Sequence, residues 1–215
     1  MVAAYRFKGV ATEQEALTNV NEGTAYALTV TGAVTWTTGK GLFFPAEVNC
    51  YITNTELTNQ YASIVSCTFG YSDMSTGNVV TAGVVLLAWT GSGYFLIAKG
   101  GIYISSTATY YKHITGAATT DGTIKTSGSV HSGGVLSANW LSSGNTLYYN
   151  GLSQSTSSGN AKGLGNLGWT PGRVFTTCKD TNLARGTMYL SALVFYNTVL
   201  TDAQHVQLAN QINAL

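Results

Sequence analysis

The sequence predicts an all-β fold, two antiparallel sheets packed as a sandwich with a short helix at the C-terminal end. Three observations carry this. Roughly fourteen short apolar or alternating runs recur at about ten-residue spacing, separated by Gly, Thr, Ser and Asn. The run from Tyr189 to Tyr196 is apolar on both faces, broken only at Ser191, so it must lie inside a sheet and under a second one. Thr201-Asp202-Ala203-Gln204 fits a capping box, and Leu208, Ala209, Ile212 and Leu215 fall on one face of the helix it starts.

In chain order, residues 2–8 read as a first strand, and Thr12 to Leu17 as a single helical turn with Glu13 and Glu15 near its positive end. Residues 25–30 alternate, with Tyr26, Leu28 and Val30 on one face, and so do 34–36 after the Thr31-Gly32 turn. Gly39 and Gly41 bracket a turn into Leu42-Phe43-Phe44, and 47–53 alternate again. A long strand is expected over 61–71, then a polar loop over 73–78. Residues 79–89 form the most apolar run and a central strand. Thr90 to Gly93 makes a hairpin tip before 94–98; Gly100-Gly101 turns the chain into 102–104, and 109–114 follows.

Residues 115–127 carry the turn signal Asp121-Gly122. Strands over 130–140 and 147–149 flank Ser142 to Asn145, and the low-complexity stretch 154–167 reads as a loop. Residues 174–178 precede the polar Lys179 to Asn182 and the closing strand. Trp36, Trp89 and Trp140 fall in strands and read as core. With no fixed-period repeat and no linker, residues 1–215 read as one domain.

Composition narrows the function classes. Only 9% of residues are charged and the net charge is +1, too little basicity for nucleic acid as a partner. Solubility must come instead from 31 Thr and 18 Ser on outward faces, with 25 Gly in turns, a composition typical of extracellular β proteins and virion surfaces. Three cysteines, Cys50, Cys67 and Cys178, leave at least one unpaired and lack zinc-site spacing. No secretory leader is evident, and no apolar run reaches the ~18 residues of a membrane span. Assembly into a virus particle released by lysis is one route to the outside that needs no leader.

The closing order of apolar strand, Tyr196, short turn, Leu200-Thr201-Asp202-Ala203 and helix resembles the end of a concanavalin A-like jelly roll of the laminin-G/pentraxin type. Thr146-Leu147-Tyr148-Tyr149-Asn150-Gly151 resembles the hairpin that precedes that ending, and Ala4 to Phe7, Gly32 to Trp36 and Gly41 to Phe44 resemble its opening strands. Residues 145–215 carry most of the likeness. It implies a two-sheet antiparallel jelly-roll sandwich and leaves the ligand open. It also brings calcium into view at Asp180 and Asn182, although Ca²⁺ takes six to eight oxygens and the loops offer few other carboxylates; no metal or other cofactor is expected.

Catalysis is not expected. Glycosidases of this jelly-roll class carry a Glu-x-Asp-x-x-Glu pattern on one strand, and it is absent. Glu13 and Glu15 fall in a turn, and Glu47 and Glu56 stand apart in sequence. His113 and His131 are scattered, and His205 edges the packing face of the helix. There is no Gly-x-Ser-x-Gly elbow and no Gly-rich phosphate loop.

Binding remains. Trp169, in the turn Gly168 to Gly172, is either a sugar-stacking ring or a cover on the sandwich end. Arg173 and Arg185 flank the Asp180 loop, as a local ion pair or as the polar rim of a site. The expected ligand site is therefore Trp169, Arg173, Asp180, Asn182 and Arg185. The expected function is a non-catalytic, phage-like virion surface domain for adhesion, glycan binding or decoration. It would contact a glycan or cell-surface ligand and other virion proteins, as a homo-oligomer. A secreted carbohydrate-binding module and a jelly-roll glycoside hydrolase are the alternatives.

Overall fold

The computed structural model of the chain describes residues 1–21, 23, 25–45, 50–59, 63–75, 81–89, 95–105, 110–114, 124–125, 132–141, 144–157, 170–176 and 187–215. Its elements are β1 (Ala3–Arg6), α1 (Glu13–Leu17), β2 (Thr29–Thr31), β3 (Thr35–Thr37), β4 (Gly41–Phe44), β5 (Tyr51–Thr53), α2 (Thr55–Asn59), β6 (Ser66–Ser75), β7 (Thr81–Trp89) and β8 (Phe95–Ser105). There follow β9 (Tyr110–Ile114), β10 (Ile124–Lys125), β11 (Gly134–Leu141), β12 (Gly144–Tyr149), β13 (Leu152–Ser157), β14 (Thr170–Arg173), β15 (Phe175–Thr176), β16 (Thr187–Tyr196) and α3 (Asp202–Asn213).

One sheet runs β13-β12-β11-β6-β16-β4-β3, with β1 also on β16; the other runs β10-β9-β8-β7-β15-β5-β2, with β14 also on β7. All the pairings are antiparallel. This is the two-sheet antiparallel jelly-roll sandwich with a C-terminal helix that the pattern predicts.

Period-2 alternation sends Phe69, Leu136, Leu147, Leu190, Leu193 and Phe195 of the first sheet into one core with Ile52 and Phe175 of the second. Phe175 joins the layers: its ring lies 4.8 Å from Phe44 and 5.7 Å from Phe69, tilted to the first and edge-on to the second. Trp36 is half-buried against this core and donates its indole N–H to Phe7 O at 2.8 Å. Cys50 and Cys67 are buried and not disulfide-bonded, and burial pushes the Cys67 thiol up; Cys178 lies outside the described residues.

Strand β16 is buried on both faces, as its composition requires. Its inner face meets the second sheet, but its outer face meets α3 rather than another β layer. Ala192 packs there with Val135, Ala209 and Ile212, flanked by Leu208 and Leu215. The capping box is complete: Gln204 N donates to Thr201 Oγ1 at 3.3 Å, and Thr201 N donates to Gln204 Oε1 at 2.8 Å.

Two glycines seat this helix. A Cβ at Gly70 would run into Ile212 and the Ser191 hydroxyl, and one at Gly151 would run into the backbone of Val206. Gly151 (φ +79°) follows Asn150 (φ +48°) in the β12–β13 turn, where both residues need the left-handed region.

Several boundaries differ from expectation. β2 is confined to Thr29–Thr31, because Tyr26 turns the chain with φ +61° and its carbonyl accepts from Tyr5 Oη at 2.6 Å. β6 begins at Ser66 and continues through Ser75, where a loop was expected, because β16 pairs with it that far. β8 does not turn at Gly100-Gly101. Gly101 opposes Val85 while Ile97 opposes Leu87, so the glycines lie at a bulge that bends the strand without ending it. The first part of the stretch read as a loop over 154–167 is β13, at the edge of the first sheet. The helix α2 carried no sequence signal strong enough to be expected; Asn54 starts it by accepting from Leu57 N at 2.7 Å, and Leu57 is buried.

Replacing Phe175 with Ala is expected to cost about 3–5 kcal/mol of unfolding free energy, read from urea denaturation with an unchanged m-value. A loss under about 1 kcal/mol would mean that the two sheets do not depend on this ring.

Candidate functional site

Of the expected site residues, Trp169, Asp180, Asn182 and Arg185 lie outside the described residues. Arg173 ends β14 opposite Leu87, in the second sheet. Arg185 stands two residues before Thr187, which opens β16 in the first sheet.

A site that sequence reading missed lies on the outer face of the first sheet. Phe43 and Phe44 are consecutive in a strand, so they cannot share a face. Phe44 is fully buried in the core, and Phe43 turns outward, half-buried. Across the sheet Phe43 opposes Thr35 on one side and Tyr189 on the other. The Phe43 and Tyr189 rings sit 5.0 Å apart at 44°, a tilted pair of the kind that aromatic quadrupoles favour.

A β-bulge then supplies charge. Tyr189 opposes Ser72 and Thr187 opposes Ser75, so Asp73 and Met74 together face Met188. Asp73 takes φ +50°, which a short polar side chain tolerates. Met74 is buried, whereas Asp73 is exposed. Lys40, at the end of the β3–β4 hairpin, completes the arrangement. Its Nζ is 3.3 Å from Asp73 Oδ2 and 4.9 Å from the centre of the Tyr189 ring. Two aromatic rings thus lie beside an open cation and anion, with the Thr35 and Ser72 side chains near by in register. Such a surface offers ring area to an apolar face and both a donor and an acceptor to hydroxyls. The one signal in the sequence was the Phe43-Phe44 doublet, since consecutive strand residues cannot both face the core.

A second polar group meets under α3. The His205 Nδ1 and Ser137 Oγ are 2.9 Å apart, and the imidazole stacks on Tyr148 at 3.8 Å and 20°. Tyr148 Oη donates to Asp202 Oδ1 at 2.8 Å. Asn139 brackets Leu200, donating to its carbonyl at 2.7 Å and accepting from its N–H at 3.2 Å. Burial pushes the His205 imidazole down to about 4, against a smaller opposite pull from Asp202. Burial pushes the Tyr148 phenol up to about 12, reinforced by Asp202.

Ser, His and Asp therefore come together, but not as a nucleophilic triad. Ser137 and His205 are each 1% exposed, so a substrate cannot reach the hydroxyl, and the carboxylate is bonded to Tyr148. Among the described residues, no group of three or more His, Cys, Asp or Glu is placed to hold a metal ion. No described helix is long and apolar enough to cross a membrane.

No protein-family model and no curated protein matches the chain. Solved structures do. The binding domain of botulinum neurotoxin DC in complex with rat synaptotagmin II superposes with a TM-score of 0.66 at 12% identity, covering 98% of this chain and 51% of that one. The same toxin domain in complex with SialylT gives 0.63 at 12% identity, over 98% and 51%. A mutant of Trypanosoma rangeli sialidase displaying trans-sialidase activity gives 0.66 at 14% identity, over 97% and 32%. The chain thus spans about half of the toxin domains and about a third of the sialidase. At these identities the likeness is one of fold, a β-sandwich common to binding domains and to part of an enzyme.

Lys40→Ala is expected to shift unfolding free energy by less than about 1 kcal/mol, because its ion pair with Asp73 is exposed. Urea denaturation checks this, and a larger loss would mean that the pair holds the hairpin rather than furnishing a surface.

Proposed function

We propose that this chain is a non-catalytic recognition module that binds a carbohydrate or glycosylated surface on its Phe43–Tyr189 face. The observation that carries the reading is the pairing of two outward aromatic rings with an open Lys40–Asp73 pair. Aromatic area can stack on the apolar face of a sugar ring, while the charged pair meets its hydroxyls. The fold it shares with toxin binding domains, one of them in complex with SialylT, supports the reading. Membership of the concanavalin A-like superfamily rests on the same fold and on the motifs over 145–215.

We propose that Asp180, Asn182 and Arg185, which precede β16 in sequence, also contribute to ligand binding, without a bound metal. The charge-poor, Thr- and Ser-rich composition supports an extracellular or virion-surface setting, with the chain assembled as a homo-oligomer. A glycoside hydrolase needs two carboxylates flanking the bond, and the Glu-x-Asp-x-x-Glu strand pattern of the jelly-roll glycosidases is absent from the sequence.

A glycan array with the wild-type chain, Phe43→Ala, Tyr189→Ala and Trp169→Ala tests the site. Loss of one stacking ring, at about 1.5 kcal/mol, should weaken binding by roughly tenfold in the first two variants. Binding unchanged in both would remove this face as the site. Loss confined to Trp169→Ala would move the site to Trp169, and no binding by the wild type would sink the carbohydrate reading.

A further inference from the structure

The C-terminal helix is held by an apolar half and a polar half that respond differently to conditions. Toward its C-terminal end, Ala209 and Ile212 rest on Val135 and Ala192, with Leu208 and Leu215 beside them. Toward its start, the contact with the sheet is made by His205. That imidazole is 1% exposed, shares one hydrogen bond with Ser137, and lies flat on Tyr148. Its other nitrogen, Nε2, is buried and has no hydrogen-bond partner. The helix backbone at this point closes on Gly151 with no room for a side chain. The helix backbone is thus held tight against the β12–β13 turn where the ring enters the sheet.

We propose that His205 is an acid-sensitive latch: neutral, it locks α3 onto the first sheet, and protonated, it releases the helix and uncovers Val135 and Ala192. The neutral ring leaves Nε2 as a buried lone pair or a weakly polar N–H, whichever tautomer Ser137 selects. The protonated ring carries a positive charge and N–H groups at both nitrogens, one of them aimed at no acceptor. A solvated histidine on a released helix meets neither cost.

The groups facing the ring are few. From β12 comes Tyr148, and from α3 itself Asp202, whose Oδ1 already accepts the Tyr148 hydroxyl. From β11 come Ser137 and Asn139, neither of which titrates. The facing side of β6 offers Thr68, whose buried hydroxyl also has no partner, and β13 has no titratable residue in its sequence. Asp202 is the one anion in this set and favours the protonated ring, but its effect is smaller than that of burial.

The direction follows. The released helix protonates near 6.5 and the docked one near 4, so acid is taken up on release and drives it. The ratio of docked to released helix should fall about 30-fold between pH 7.5 and pH 5, approaching about 300-fold below pH 4.

Amide hydrogen exchange on the intact chain, corrected for the intrinsic effect of pH, tests this. Protection over 202–213 should fall about 30-fold from pH 7.5 to pH 5 while β11 and β16 keep theirs, and His205→Gln should flatten that dependence. An unchanged helix in the wild type, the same fall in His205→Gln, or equal loss across β11 and β16 would each overturn the latch. Should the variant not fold, the wild-type imidazole can be titrated by NMR. A midpoint near 4 sustains the proposal, and one at or above 6.5 overturns it.

Discussion

Strand β16 places Met188, Leu190, Leu193 and Phe195 on one side and Ala192 and Val194 on the other, and the six residues from Leu190 to Phe195 are all buried. Burying a Leu or Phe side chain is worth about 1.5–3 kcal/mol, more than the roughly 1 kcal/mol net of an ordinary hydrogen bond. The chain therefore has to supply cover for both faces. The inner cover is the second sheet, delivered through Phe175. The outer cover is α3, which the Asn197 to Thr201 segment folds back over the same sheet, with Leu200 pinned at both its amide groups by Asn139. Most other features are consequences of providing these two covers.

The irregularities in the first sheet are where it does more than pack. At Ser191 an extra residue in β16 turns its carbonyl toward the amides of Phe7 and Lys8, at 2.9 Å and 3.0 Å, which ties down the end of β1. At Asp73-Met74 an extra residue in β6 splits two side chains between opposite environments, sulfur to the core and carboxylate to water. A regular ladder would leave Asp73 and Met74 on the wrong faces for both tasks. The charged edge of the aromatic surface thus exists because one strand carries a residue more than its neighbour.

The parts of this architecture that were legible in the sequence are those fixed by local pattern. The double-faced run over 189–196, the Thr201–Gln204 capping box and the apolar stripe of α3 all read correctly, since each depends on residues within one element. The outer cover was not legible, because an apolar strand face announces that it is buried, not whether a strand or a helix buries it. The loop expected over 73–78 failed for a related reason: Asp73 looks like a turn residue, and only its partner strand keeps the chain extended through it. The Lys40–Tyr189–Asp73 arrangement joins three positions far apart in sequence, so no local pattern could announce it. His205 was placed on the edge of the packing face; its partners Ser137 and Tyr148 come from β11 and β12, and pairing across such distances is invisible without the fold.

Gly70 and Ile212 occupy what is in effect a single volume. The isoleucine sits where any side chain on residue 70 would have to go, so the distance between helix and sheet is set by an absent atom. Neither position can drift alone: enlarging one demands a trimmed partner, and the pair would evolve as a unit although 142 positions of chain separate them.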